Sequence, residues 1–110
     1  MYDILTLNKI SQIGLKELDD KYAIADCCDC PDGIIVRSAS MHEYNFSDKT
    51  LAVARAGAGV NNIPVDECTK KGIVVFNTPG ANANAVKELV IGALMLSSRK
   101  VAAAYDWCKT

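Results

Sequence analysis

Short apolar stretches alternate with amphipathic ones along the chain. Five of them have the composition of β-strands and span residues 3–7, 22–26, 34–36, 51–54 and 73–76. The third is a continuous β-branched run, Ile34-Ile35-Val36, which is typical of a strand buried on both faces of a parallel sheet. Because helix-like stretches separate the strands, we expect parallel pairing with right-handed crossovers. The pattern predicts an α/β fold, a flavodoxin-like open parallel sheet of about five strands with flanking helices.

The segments between the strands carry helical signals of different strength. Apolar residues recur at helical spacing from Ile10 to Leu18. Pro64 suits the first turn of another helix, and Gly72 is well placed to end it. The polar segment 40–49 is a short helix or a loop.

The segment from Ala83 to about Trp107 has no proline, and its apolar residues occupy nearly every face of a helix. It predicts one long apolar helix, which needs cover on several sides. A single small sheet covers one side only. We therefore expect another domain or another subunit to cover the rest, so that the chain is incomplete or forms a homodimer or higher homo-oligomer.

Composition excludes several classes of protein. The chain has 110 residues, with 13 acidic and 12 basic side chains and a net charge of −1, so it lacks the basic excess of nucleic-acid or anionic-membrane binders. The longest apolar stretch, Leu89 to Leu96, is too short to span a bilayer. The amino terminus has no basic region followed by an apolar one, as a secretory signal would have. We expect a cytoplasmic protein.

The metal-binding residue types are present but poorly grouped. Three of the five cysteines lie in the run 27–30, and His42 is the only histidine. No second cluster supplies the remaining ligands of a zinc site, so we expect free thiols and no metal. His42, beside Glu43 in a polar stretch, is expected to be a surface histidine rather than a general base.

Three predicted strands end in residues suited to binding an anion. These ends are Arg37-Ser38, the turn Arg55 to Gly59, and Asn77 to Gly80. Arginine presents a planar fork of donors to carboxylate or phosphate, and a glycine-containing turn exposes backbone N–H groups. In open parallel sheets ligands bind at this edge. The alternative is that each arginine pairs with a surface carboxylate, and the spacing alone does not separate the two interpretations.

The turn Gly57-Ala58-Gly59 does not complete a dinucleotide-binding motif. That motif has the pattern G-x-G-x-x-G and an acidic residue about twenty positions later, where this chain has Asn62 and Asn77. A nicotinamide dinucleotide is therefore not expected to be held by this turn in the Rossmann manner. On its own residues, the chain binds an anion but lacks the groups for a reaction.

Four segments resemble the D-2-hydroxyacid dehydrogenase family, and the two arginines favour its phosphoglycerate branch. The first is Asp32-Gly33-Ile34-Ile35-Val36-Arg37-Ser38, and the second, Arg55 to Ile63, is similar to the family's R-A-G-T-G-V-D-N-V. The third, Lys71 to Pro79, is similar to K-G-I-x-V-x-N-T-P. The fourth, Glu88-Leu89-Val90 with the apolar stretch after it, resembles the family's interdomain helix. Ala58 and Asn61 depart from the family's usual threonine and aspartate.

The resemblance implies a substrate site and a division into domains. Arg37 and Arg55 would face the substrate phosphate, the turn amides would hold its carboxylate, and Ala58 would also lie near the cofactor. The substrate-binding residues so implied are Arg37, Ser38, Arg55, Ala56, Gly57 and Ala58. Residues 1–82 would form an incomplete substrate-binding domain, and residues 83–110 an interdomain and dimerisation helix leading to an absent NAD-binding domain.

The resemblance also implies an activity. In the family, the catalytic arginine, glutamate and histidine belong to that absent domain, so this chain alone is expected to be inactive. The full-length enzyme would oxidise the phosphorylated 2-hydroxy acid 3-phosphoglycerate to 3-phosphohydroxypyruvate with NAD, in serine biosynthesis.

Several other functions are alternatives to this one. A dehydrogenase of glycerate, lactate or another 2-hydroxy acid would not need both arginines. A signalling receiver domain needs a phosphorylatable aspartate at the third strand end, where this chain has Arg37-Ser38, and Asn8 to Ser11 is not a flavin phosphate loop. A non-catalytic interaction module would use the apolar helix as its contact surface.

Overall fold

The computed structural model describes residues 1–110, which form two compact units, Met1–Pro79 and Gly80–Thr110. The first unit contains five strands and two short helices. In chain order they are β1 (Tyr2–Leu7), α1 (Gln12–Leu15), β2 (Tyr22–Ala25), β3 (Gly33–Val36), β4 (Ala52–Arg55), α2 (Val65–Lys70) and β5 (Val74–Phe76). The second unit contains α3 (Ala83–Arg99) and α4 (Val101–Cys108).

The five strands form one sheet in the order β2-β1-β3-β4-β5, and every neighbouring pair is parallel. This is the flavodoxin-like order, so the predicted fold class is confirmed. Leu7 lies opposite Val36, and Val36 lies opposite Arg55. Because β1, β3 and β4 run in the same direction, these pairings bring their carboxyl ends together at one edge of the sheet.

The two faces of the sheet differ in burial. Ile34, Val36 and Val53 lie on one face and are almost inaccessible to solvent. The other buried apolar side chains of this core are Leu5, Met41, Phe46, Ile63, Cys68 and Ile73. The segment 41–50 forms turns rather than a helix, yet it contributes Met41 and Phe46. The first unit therefore has its core on one face of the sheet.

The opposite face carries apolar side chains that solvent reaches. In the strand register, Tyr2 and Ile4 share this face with Tyr22 and Ile24, and the side chain of Phe76 is 57% exposed. Alternation along each strand places neighbouring side chains on opposite faces. Adjacent positions in one strand, such as Ile34 and Ile35, therefore meet different surroundings.

The first helix is shorter than the periodicity from Ile10 to Leu18 predicts. It ends at Leu15, and the chain continues in tight turns in which the Leu18 N–H bonds to the Leu15 carbonyl. Ile13 is exposed instead of facing the core. Gly14 in the middle of so short a helix is unfavourable, because glycine loses more conformational freedom than other residues when it becomes helical.

The second unit departs from the single long helix that was predicted. Its helical stretch begins at Ala83, but Lys100 takes a left-handed conformation with φ of 51° and separates α3 from α4. Gly92, the residue with the weakest helix propensity in the segment, stays helical within α3. Leu89 and Trp107 are among the exposed apolar side chains. No helix of the chain combines the length and apolar character needed to cross a membrane.

Asp32 joins the amino ends of β1 and β3. Its Oδ2 accepts a hydrogen bond from the Asp3 N–H at 2.7 Å and lies 3.3 Å from Lys49 Nζ. The Asp3 N–H is the largest cause that lowers the pKa of Asp32 below its ordinary value of 3.8, with desolvation acting in the opposite direction and Lys49 adding to the lowering. A carboxyl whose pKa is lowered on folding stabilises the fold when it is ionised.

We therefore expect replacement of Asp32 by asparagine to destabilise the chain at pH 7 and to matter progressively less below about pH 4, where the unfolded chain binds the proton first. Urea denaturation at pH 7 and pH 3 measures the difference. Asp29→Asn, a change of the same charge at an exposed position, is the control. An equal loss of stability at both pH values would contradict this role for Asp32.

Candidate functional site

The loop after β3 is held from one side by Asn8, the residue that follows β1. Asn8 Oδ1 accepts hydrogen bonds from three successive backbone N–H groups, those of Arg37 (3.3 Å), Ser38 (2.9 Å) and Ala39 (2.7 Å). Asn8 has a φ of 72°, a left-handed conformation that asparagine tolerates better than most residues. The parallel pairing of β1 with β3 places Asn8 beside this loop.

The carbonyl groups of the same loop are held from the other side by Arg55 and Asn62. Arg55 Nε donates to the Arg37 carbonyl at 2.8 Å. Asn62 Nδ2 donates to the Arg37 carbonyl at 3.3 Å and to the Ala39 carbonyl at 2.9 Å. Asn62 is buried, and its Oδ1 accepts no hydrogen bond. The backbone that carries Arg37 and Ser38 is therefore fixed on both sides.

The Arg55 guanidinium folds back against the glycine turn that follows it. Its Nη1 donates to the Gly59 carbonyl and lies 3.5 Å from Asn61 Oδ1. A Cβ added at Gly57 would lie 3.1 Å from Arg55 Nε, and one at Gly59 would lie 3.2 Å from Arg55 Nη1. These two glycines therefore make room for the Arg55 side chain.

The backbone N–H groups of the turn differ in their availability. The Ala56 N–H, which the resemblance places on the substrate carboxylate, donates to the Val36 carbonyl at 2.8 Å. The N–H groups of Gly57 and Ala58 donate to no acceptor within the chain. The Gly59 N–H also donates to no acceptor within the chain, so three free donors remain in the turn.

The residues after β5 hold the same turn from its other side. Asn77 Nδ2 donates to the Ala58 carbonyl at 2.7 Å, and the Thr78 N–H donates to the Gly57 carbonyl at 3.0 Å. The three strand ends singled out in the sequence thus come together through backbone hydrogen bonds. Their contacts orient the turn without using its Gly57 and Ala58 donors.

Neither arginine of the site is neutralised by an acidic side chain. The ion pairs of the chain involve Lys49 and Lys71, and no carboxylate lies within 4.0 Å of Arg37 or Arg55. Arg55 Nη2 makes no hydrogen bond within the chain. The alternative left open by the sequence was that each arginine pairs with a surface carboxylate. The structure contains neither pair. The edge keeps two positive charges and the free N–H groups of the turn.

Other candidate groups lie apart from this chemistry. His42 is exposed, and its Nε2 lies 2.7 Å from the Asn61 carbonyl. All five cysteines are free thiols, and no three histidine, cysteine or acidic side chains come close enough together to hold a metal ion. An open cavity of about 640 Å³ lies beside Asn8 at the ends of β1 and β2, and neither arginine lines it.

The sequence interpretation missed Asn8 and Asn62 as residues of this site. Asn8 was considered only as part of a loop unlike that of flavodoxin, and Asn62 only as the residue in place of a motif glycine. One signal was available, since asparagine directly after a predicted strand is a residue type that adopts left-handed backbone and caps neighbouring amides. The partners of both side chains depend on the register of the sheet.

The sequence of the chain matches known proteins. The family model described as D-isomer specific 2-hydroxyacid dehydrogenase, catalytic domain, matches residues 4–105. The chain is 38% identical over 101 residues to D-3-phosphoglycerate dehydrogenase of Rattus norvegicus, covering 89% of this chain. It is 42% identical over 76 residues to hydroxypyruvate reductase of Thermotoga maritima, covering 66% of this chain.

These relatives are much longer than the chain. The matched segment covers 19% of the rat protein and 25% of the Thermotoga protein. The similarity therefore concerns a part of each relative. Because the family model matches nearly the whole chain, the chain belongs to the D-isomer specific 2-hydroxyacid dehydrogenase family.

Proposed function

We propose that this chain is the substrate-binding part of a D-3-phosphoglycerate dehydrogenase, which oxidises 3-phosphoglycerate to 3-phosphohydroxypyruvate with NAD in serine biosynthesis. The observation that carries the proposal is the pair of arginines without acidic partners beside a turn with free N–H groups. The D-3-phosphoglycerate dehydrogenases among the relatives support the choice of substrate.

The roles follow from the charges of the substrate. Its phosphate carries about −1.5 to −2 charge near neutral pH, and a guanidinium donates to phosphate oxygens through a planar fork. The whole side chain of Arg37 is available for that contact, whereas Arg55 has only Nη2 and its positive charge left for the phosphate. The N–H groups of Gly57 and Ala58 would bind the carboxylate, and Ser38 would contribute its hydroxyl.

NAD would supply the acceptor for the hydride and would be held mainly outside this chain. The residues present fit a single contact with NAD at Ala58, because the Ala58 N–H is free. They do not fit the binding of the whole dinucleotide, because the turn lacks the third glycine of a dinucleotide-binding motif. We place the substrate-binding domain at residues 1–82 and an interdomain and dimerisation segment at residues 83–110. The exposed apolar side chains of α3 and α4 support a homodimer.

A second 2-hydroxy acid is the specific alternative. The Thermotoga relative is named a hydroxypyruvate reductase, and a substrate without phosphate would need only one arginine. The two functions differ in how strongly the site prefers a phosphorylated acid. A direct comparison of 3-phosphoglycerate with D-glycerate therefore separates them.

The test combines binding and turnover on the purified chain. We expect NMR titration of the ¹⁵N-labelled protein to give at least tenfold tighter binding of 3-phosphoglycerate than of D-glycerate, and Arg37→Ala to abolish most of this preference. Arg99→Ala, an arginine change in α3, is the matched control. With NAD and 3-phosphoglycerate, the chain alone should form no NADH. Equal affinity for the two acids would overturn the choice of substrate.

A further inference from the structure

The N–H groups of Arg37, Ser38 and Ala39 converge on one point, and the atom at that point is Asn8 Oδ1. Successive backbone N–H groups that point into one concavity form a nest, which attracts an oxygen with negative or partly negative charge. Without Asn8, these three donors would turn to water or rotate away. The amide oxygen of Asn8 therefore keeps the loop in a single orientation.

The geometry at Asn8 combines two requirements that few residue types meet. Its backbone is left-handed, with φ of 72°, which glycine, asparagine and aspartate adopt at the least cost. Its side chain must also present an acceptor within reach of three N–H groups. Glycine meets the first requirement only, and alanine meets neither. Aspartate meets both but adds a negative charge.

The loop that Asn8 holds carries two of the residues proposed to bind substrate, Arg37 and Ser38. Arg55 and Asn62 hold the carbonyl side of this loop, and Asn8 holds its N–H side. A loop fixed on one side only would let the backbone at Arg37 and Ser38 sample more orientations, and ordering it would then reduce the affinity for a ligand.

We infer that Asn8 is a positioning residue of the phosphorylated-acid site, which sets the affinity for substrate through the orientation of Arg37 and Ser38. This inference rests on the proposed function for the identity of the ligand. It adds a residue from the end of β1 to a site whose other members come from the ends of β3, β4 and β5.

Three variants separate the contributions of Asn8. Asn8→Gly tolerates the left-handed backbone and removes the acceptor, Asn8→Asp keeps both features, and Asn45→Gly makes the same change as the first variant at an exposed loop residue. We expect Asn8→Gly to lose hydrogen-exchange protection at Ser38 and Ala39 and to bind 3-phosphoglycerate about tenfold more weakly. Asn45→Gly should change neither, and Asn8→Asp should restore the protection.

The readouts distinguish failure of this inference from failure of the proposed function. The wild-type chain is first titrated with 3-phosphoglycerate, D-glycerate and D-lactate. If another acid binds in place of 3-phosphoglycerate, the proposed substrate is wrong, and the variants are compared with the acid that binds. Unchanged affinity in Asn8→Gly would overturn the positioning role. If the wild type binds none of the three acids, both proposals are overturned.

Discussion

Truncating Ile34 to alanine should lower the free energy of unfolding by about 2–5 kcal/mol, whereas the same truncation at Ile35 should cost about 1 kcal/mol. Ile34 is 2% exposed and belongs to the core, while Ile35 lies on the opposite face of β3 and is half-buried. The larger cost has two sources, the lost transfer of apolar surface from water and the cavity left among close-packed neighbours.

Urea denaturation of the two variants measures this difference, and the pair is its own control, because both changes remove the same atoms from one strand. A domain of this size has a total stability of about 5–10 kcal/mol, so Ile34→Ala is expected to remove a large part of it. Ile34→Val, with an expected loss of about 0.5–1.5 kcal/mol, keeps the comparison measurable. Equal losses at the two positions would contradict a core restricted to one face of the sheet.

Replacing Arg55 by alanine should reduce both stability and affinity, whereas replacing Arg37 should reduce affinity alone. Arg55 donates hydrogen bonds to the carbonyl groups of Arg37 and Gly59. We expect the loss of these hydrogen bonds to lower the free energy of unfolding by about 1–3 kcal/mol. Arg37→Ala should change stability by less than about 0.5 kcal/mol, because its side chain makes no hydrogen bond or ion pair. Both variants should bind 3-phosphoglycerate at least tenfold more weakly.

Arg55→Lys sharpens this comparison. Lysine keeps the positive charge but lacks the planar fork that reaches two carbonyl groups at once. We expect it to recover little of the stability lost in Arg55→Ala. Denaturation midpoints and the dissociation constant for 3-phosphoglycerate are the measurements. An Arg55→Ala protein with wild-type stability would show that the guanidinium does not brace the turn.

The sheet was predictable because its strands are short, apolar and separated by turn signals. That pattern, which includes the run Ile34-Ile35-Val36, predicted the parallel sheet that the structure contains. The break at Lys100 was not predictable, because lysine has good helix propensity and its left-handed backbone is set by no local signal. The shortened α1 shows the reverse case, in which helical spacing was present but Gly14 weakened the helix.

The sequence predicted which strand ends form the candidate site, but it predicted only some of the residues and contacts within it. Parallel strands bring their carboxyl ends together, so the grouping of Arg37 with Arg55 followed from the fold. The reason for the glycines did not follow, since only the structure shows that Arg55 occupies the space beside Gly57 and Gly59. Asn8 was missed because its partners are 29–31 residues away in sequence.

The bracing of the loop after β3 also bears on the order in which the chain folds. Its hydrogen bonds join Asn8 to residues 29–31 positions later, and residue 37 to partners 18 and 25 positions later. Each of these contacts closes a long loop. The entropy of loop closure is lost before the contact stabilises the chain, so folding is slower. During synthesis, the loop after β3 therefore lacks part of its bracing until the ribosome has released the chain beyond Asn62.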